Sequence, residues 1–199
     1  MTADCKTMLA VKKKIAIYVV GMFSLVLMAA VGGKNSNPEK TLSADGVEMN
    51  VSVKDGIAAF KRSGAQKEVN NRYYAVEDVI SHAKALIGTP HVMGGYSSRG
   101  IDCSGLVRLA HAKAEVELPR SSHEQARYGT IISSGQELKR GDLLFFHSTY
   151  RKANLITHTG IYLGNGEFVH ASSRRGVTVS RLDSDYYRKH YLFATRLGR

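Results

Sequence analysis

His158-Thr159-Gly160-Ile161-Tyr162-Leu163-Gly164-Asn165-Gly166-Glu167-Phe168-Val169-His170 holds two β-rich runs on either side of a Gly-Asn-Gly signal. Such a pattern predicts a β-hairpin. Its register decides what the ribbon can do. A plain two-residue Asn-Gly turn would pair His170 with Ile161 and send it to the face opposite His158. A three-residue turn over Gly164 to Gly166, with Gly166 left-handed, pairs His170 with Gly160 and keeps both histidines on one face. Their backbones then stand roughly 7–8 Å apart as diagonal neighbours, and the rings reach each other. In that register the ribbon carries a base and a group that orients it.

Outward from this hairpin the patterning is consistent. After Gly141, strands are predicted over 142–146, 156–163, 167–171, 177–179 and 191–195. Before it, Val76, Val79, Ile80, Ala83, Leu86 and Ile87 recur at helical spacing until Gly88 stops the run. A second helix is expected from Asp102 or Cys103, with Leu106, Val107 and Ala110 on the face of Cys103, and a short third one over 122–128. Helices first and strands after predict an α+β domain with an antiparallel C-terminal sheet.

Cys103 opens the second helix, and Asp102 is a good N-cap. The first helical turn favours thiolate over thiol, and its free N–H groups can hold an oxyanion. A cysteine there with His158 as base and His170 as orienting group fits nucleophilic catalysis. Two other readings use the same residues. Cys103 could be a small buried side chain on an apolar helix face. Cys103, His158 and His170 could instead ligate zinc, although the sequence signals no further ligand. His82, His111, His123, His147 and His190 show no comparable arrangement and read as surface or satisfied core residues. Gly94-Gly95 with Gly100 is no phosphate loop, because no Lys-Ser/Thr pair follows.

The N-terminus reads as an export segment. Lys12-Lys13-Lys14 precedes an almost wholly apolar run from Ile15 to Val31, and small residues follow it. A cleaved signal peptide and an uncleaved single-span membrane anchor both fit residues 1–33. Cys5 precedes the apolar run, so a lipid-modified cysteine is not indicated, and Cys103 has no disulfide partner in the exported part. Residues 34–71 are rich in Asn, Ser, Lys and Gly and read as a weakly structured tether, with one edge strand allowed by alternating Val47, Met49, Val51 and Val53. The compact domain is expected over 72–199. The net charge is +11 over 199 residues, and 24 basic against 16 acidic residues remain once residues 1–33 are set aside. A basic surface suits an anionic partner. No zinc-finger spacing, basic heptad helix or RNA-binding signature is present, which argues against nucleic acid.

These segments together resemble the NlpC family of papain-like cysteine peptidases that cut bacterial cell-wall peptides. The resemblance is carried by Leu86-Ile87-Gly88-Thr89-Pro90, Met93-Gly94-Gly95, Gly100-Ile101-Asp102-Cys103-Ser104-Gly105-Leu106-Val107 and Leu118-Pro119-Arg120-Ser121-Ser122 with Gln125. It continues through Gly141-Asp142-Leu143-Leu144-Phe145-Phe146, His158 to Gly164, and Phe168-Val169-His170-Ala171-Ser172. It implies a papain-like fold, with Cys103 as nucleophile, His158 as base and His170 as third polar residue. It places Asp102, Ser104, Arg120 and Ser121 near the peptide groove. It implies peptidoglycan peptides as substrate and neither metal nor cofactor, while the export segment sets the expected location in the periplasm or cell envelope, with membrane anchoring allowed. His91 stands where the family usually has a tyrosine that helps hold the oxyanion, and Met93 where tryptophan is common. An amidase or acyltransferase on a non-wall substrate, and a non-catalytic wall-binding scaffold, are the rival readings.

Overall fold

The computed structural model describes residues 41–42, 48–49, 51–69, 74–132, 137–149 and 154–198. The export segment expected over 1–33, with its apolar run 15–31, lies outside the described residues. Among those described, no helix is long and apolar enough to cross a membrane.

A minimal antiparallel pair, β1 (Thr41–Leu42) and β2 (Glu48–Met49), precedes helix α1 (Val51–Arg62). This helix corrects the weakly structured tether expected over 34–71, and it replaces the edge strand drawn through Val51 and Val53. Val53, Ile57 and Phe60 are spaced to form one helical face, and all three join the hydrophobic core. Phe60 is buried, with its ring 5.8 Å from that of Phe193 and the Arg127 guanidinium 4.8 Å above it. The chain beyond the helix is held too, because the Lys67 N–H donates to the Arg127 carbonyl at 2.7 Å and the Gly129 N–H to the Lys67 carbonyl at 2.8 Å.

Helix α2 (Val76–Lys84) buries Val79, Ile80 and Ala83. A short hairpin, β3 (Tyr96–Ser97) and β4 (Gly100–Ile101), leads directly into helix α3 (Cys103–Ala112). Helix α4 (Ser122–Gln125) is capped by the Ser121 hydroxyl and stops short of the expected Tyr128. Then come an edge strand not foreseen from the sequence, β5 (Thr130–Ile132), and β6 (Leu143–Phe146), β7 (His158–Gly164), β8 (Glu167–Ser172) and β9 (Gly176–Arg181). Helix α5 (Asp185–His190) and β10 (Tyr191–Arg196) end the domain.

The main sheet has the order β5-β10-β6-β7-β8-β9 and is antiparallel throughout. Leu143 and Phe145 point into the larger core with Leu106, Val107 and Ala110 of α3, whereas Leu144 and Phe146 pack with Phe168 and Ala194 on the other face. Both faces being covered, β6 reads as an unbroken apolar run. The fold is therefore α+β, its helices packed on a C-terminal antiparallel sheet.

The β7–β8 hairpin has the register that keeps both histidines together, reached by a different device. Asn165 (φ 53°) and Gly166 (φ 77°) make a two-residue turn, and Gly164 pairs with Glu167. A bulge between Tyr162 and Gly164 then supplies the extra residue, so that Tyr162 pairs with Phe168 and Ile161 with Val169. Gly160 faces His170 across the strands. A β-carbon on Gly160 would lie 2.7 Å from Cδ2 of Phe168 and 3.1 Å from Cβ of His170, so the position has no room for a side chain.

Candidate active site

Asp102 organises the start of α3. Its Oδ1 accepts from the Gly105 N–H at 2.7 Å, which caps the helix, and its Oδ2 accepts from the Gly94 N–H at 2.9 Å. Arg120 clasps both oxygens, at 2.8 Å and 2.7 Å, and also donates to the Ser104 hydroxyl and the Gly95 carbonyl. Such a two-pronged pair is among the strong hydrogen-bonded contacts. The helix start is thus locked to the glycine-rich segment before it. Asp102 keeps its charge: the Arg120 and backbone hydrogen bonds outweigh burial and hold its carboxyl below the usual range.

The sulfur that this frame holds in place is buried, at 7 % exposure. The backbone N–H groups of Thr159, Ser104 and Cys103 itself favour the thiolate, as expected at a helix start. Burial, and then the neighbouring Asp102 carboxylate, work against them and push the thiol up to about 11. The expectation of a thiolate favoured by the helix N-terminus is corrected here, because desolvation and one buried anion outweigh a helix end. At neutral pH the resting group is the thiol.

His158 and His170 meet as a pair. Nε2 of His158 lies 2.9 Å from Nδ1 of His170, with the rings nearly perpendicular at 86°. Nε2 of His170 in turn lies 3.0 Å from the Ser180 hydroxyl and 3.1 Å from the Tyr187 hydroxyl. Burial, with His91 as the next cause, lowers His158 to about 4. Burial, then His158 and Arg175, lowers His170 further still. Both rings are neutral at pH 7. The nitrogen of His158 left uncommitted by His170 is Nδ1, which makes it the one available as a base. For its lone pair to be free, the proton must sit on Nε2 and be donated to His170 Nδ1, and His170 must then donate from Nε2 to a hydroxyl. Ser180 and Tyr187 are both placed to accept it.

All residues singled out from the sequence line one cavity of about 1040 Å³, including Cys103, His158, His170, His91, Arg120 and Ser121. Exposed Met93 and Tyr186 stand at its rim. His91 enters it from a segment bridged to β4 at Ile101. Among the described residues, no three His, Cys, Asp or Glu side chains are grouped to hold a metal ion. His111, set aside as a core residue, is buried with Nδ1 donating to the Val107 carbonyl at 2.7 Å. Sequence reasoning missed Ser180, Tyr187 and Arg175. Ser180 had a signal: Thr178 pairs with His170, which makes Ser180 a diagonal neighbour on the same face. Tyr187 arrives from α5 and had none.

A helix-borne cysteine and strand-borne histidines lining one cleft, on helices packed against an antiparallel sheet, define a papain-like domain. The chain belongs to the NlpC/P60 family, whose model matches residues 88–196, more than half of its length. Over 112 residues it is 44% identical to the probable endopeptidase NlpC homolog of Haemophilus influenzae, covering 56% of this chain and 57% of that protein. Over 111 residues it is 40% identical to the murein DD-endopeptidase MepS/murein LD-carboxypeptidase of Escherichia coli K12, covering 55% and 56%. A solved NlpC/P60 family protein from Bacillus cereus superposes with a TM-score of 0.57 at 30% identity, covering 62% of this chain and 40% of that one. The chain thus spans a little over half the length of the two curated relatives.

Proposed function

We propose that this protein is an exported cysteine endopeptidase that hydrolyses amide bonds in peptidoglycan peptides through Cys103, His158 and His170. The observation that carries the reading is the 2.9 Å contact between His158 and His170 in the cavity that also holds Cys103. The murein activity named for the Escherichia coli relative supports the substrate class.

The chemistry follows from two neutral partners. As the sulfur attacks the scissile carbonyl carbon, its proton passes to Nδ1 of His158, and His170 holds the ring in the tautomer that can take it. The carbonyl oxygen becomes an oxyanion, received by N–H groups at the start of α3 and by the His91 ring. His158 then gives its proton to the departing amine as the C–N bond breaks, leaving an acyl group on Cys103. Water, deprotonated by the same nitrogen, displaces the sulfur and releases the acid. Because thiol and imidazole both start neutral, charge appears only along the reaction path. Preorganised donors therefore favour the transition state over the resting site.

Incubation of the full chain and of Cys103→Ala with defined muropeptides, with products identified by mass, tests the proposal. Cleavage that disappears in the variant is expected. Binding without cleavage by the unmodified chain would refute it in favour of a wall-binding scaffold, and cleavage of only non-wall amides would redirect it to an amidase.

A further inference from the structure

We propose that the Ser173–Arg175 turn between β8 and β9 is a carboxylate-binding subsite, which selects substrates bearing a free carboxylate close to the scissile amide. This rests on the peptidase reading above and adds to it the feature of the substrate that is recognised.

The first argument is charge. Among the described residues that line the cavity, Asp102 is the one carboxylate, and Arg120 already clasps both its oxygens. Arg174 and Arg175 line the same cavity, and among the described residues neither forms an ion pair with an acidic side chain. Among the described residues the cleft therefore presents two guanidinium groups that no carboxylate pairs with. An ammonium-rich ligand would be repelled there, and a carboxylate would complete the pairing that each planar guanidinium can make.

The second argument is that the turn is fixed in place. Gly88 N–H donates to the Val177 carbonyl at 2.9 Å and Val177 N–H to the Thr89 carbonyl at 2.9 Å. The turn is thereby fastened to the segment that leads into His91. Gly176 (φ 68°) lies so close to the Thr89 carbonyl that a β-carbon could not fit between them. Arg174 N–H donates to the Ser172 hydroxyl at 3.3 Å. Arg175 is held as well: its Nη2 donates to the Ser180 hydroxyl at 2.8 Å, and that hydroxyl touches His170. Glu167 and Arg181 line a smaller cavity that Arg175 and Ser180 also border; there Arg181 is engaged by Asp183 at 2.6 Å, and Glu167 forms no ion pair with Arg175. One arginine of the turn is thus anchored beside the relay, and the other stands free to close on a ligand.

Two peptides that differ only in a free carboxylate or a carboxamide next to the scissile bond test this. Their binding to the full chain carrying Cys103→Ala is measured by calorimetry, so the result does not depend on turnover. The carboxylate peptide is expected to bind about 10-fold more tightly, as for one charge-assisted contact. Adding Arg174→Gln, an exposed change that leaves the relay intact, is expected to reduce the ratio to near one. High salt should narrow it as well. Equal binding of both peptides by Cys103→Ala overturns the subsite, and so does a preference that survives Arg174→Gln. Failure of the peptidase reading looks different. In that case the unmodified chain binds the carboxylate peptide selectively and cleaves neither.

Discussion

Replacing Asp102 by Asn should make the protein less stable and its thiol more acidic, two effects of opposite sign from one removed charge. The amide can still cap α3 through its oxygen, so the 2.7 Å bond from Gly105 survives. On the other side an NH2 group now faces the Gly94 N–H and Nη2 of Arg120, which donated at 2.9 Å and 2.7 Å. Donor meets donor, and two hydrogen bonds to a charged group, each about 1.5–3 kcal/mol, are lost. Arg120 is 35 % exposed, so water compensates part of its share. The net loss is about 2–4 kcal/mol, which lowers Tm by about 5–15 °C in a domain of this size. The thiol responds the other way. After burial, the Asp102 carboxylate is the main cause that holds Cys103 near 11, so its removal, with Arg120 left uncompensated, brings the value down. Thermal unfolding reads the first effect, and the pH dependence of alkylation by iodoacetamide reads the second. A variant that melts earlier while its alkylation profile stays put, or moves to higher pH, would refute the electrostatic account of the resting thiol.

Other perturbations probe the same frame. Gly160→Ala overpacks the contact with His170 and Phe168, costing about 1–3 kcal/mol; displacement of the imidazole should cut turnover about 100-fold, and unchanged kinetics would count against the pairing as a catalytic element. Ser180→Ala or Tyr187→Phe alone leaves one hydroxyl on His170, so each should cost little. The double change should lower kcat about 10-fold or more and shift the His170 nitrogen resonances in NMR; additive, small effects would argue that neither hydroxyl sets the tautomer. Folding stability should fall as pH drops from about 6.5 towards 4. His111 and His158 stay neutral in the fold until about 4 and His170 lower still, whereas the unfolded chain takes up those protons first. Each contributes a slope of about 1.4 kcal/mol per pH unit in that window, and a flat urea-denaturation profile between pH 7 and 4.5 would contradict it. His91→Tyr should keep or raise hydrolysis, with complete loss showing that the imidazole has an indispensable role of its own.

What could be read from the sequence was local. Asp102 as a cap, α2, α3 and the existence of the β7–β8 hairpin all follow from patterns within a dozen residues. The turn shows the limit of such reading, since the correct pairing arises from a bulge at Leu163, between Tyr162 and Gly164, that the Asn-Gly signal alone does not reveal. Helix α1 stayed hidden because Val53, Ile57 and Phe60 are spread thinly through a polar, lysine-containing stretch. Their helical phase becomes decisive only when the Phe193 surface is there to receive them. The resting thiol was misjudged for a related reason. A helix start is visible in a sequence, but the depth of burial is not, and the second outweighs the first. Tyr187 is the extreme case: only the return of α5 over β8 brings its hydroxyl to His170.

Helix α1 has a practical consequence for anyone cutting this chain. A fragment begun at residue 72, where composition suggests that the compact part starts, would leave bare the shelf formed by Phe193 and His123 on which Phe60 rests. It would also break the backbone bridge between Lys67 and the segment that follows α4, at Arg127 and Gly129. Such a fragment would expose a greasy, edge-bearing surface suited to self-association, and its lost activity would then report on the boundary rather than on the catalytic groups. Recombinant versions are better started ahead of Val51.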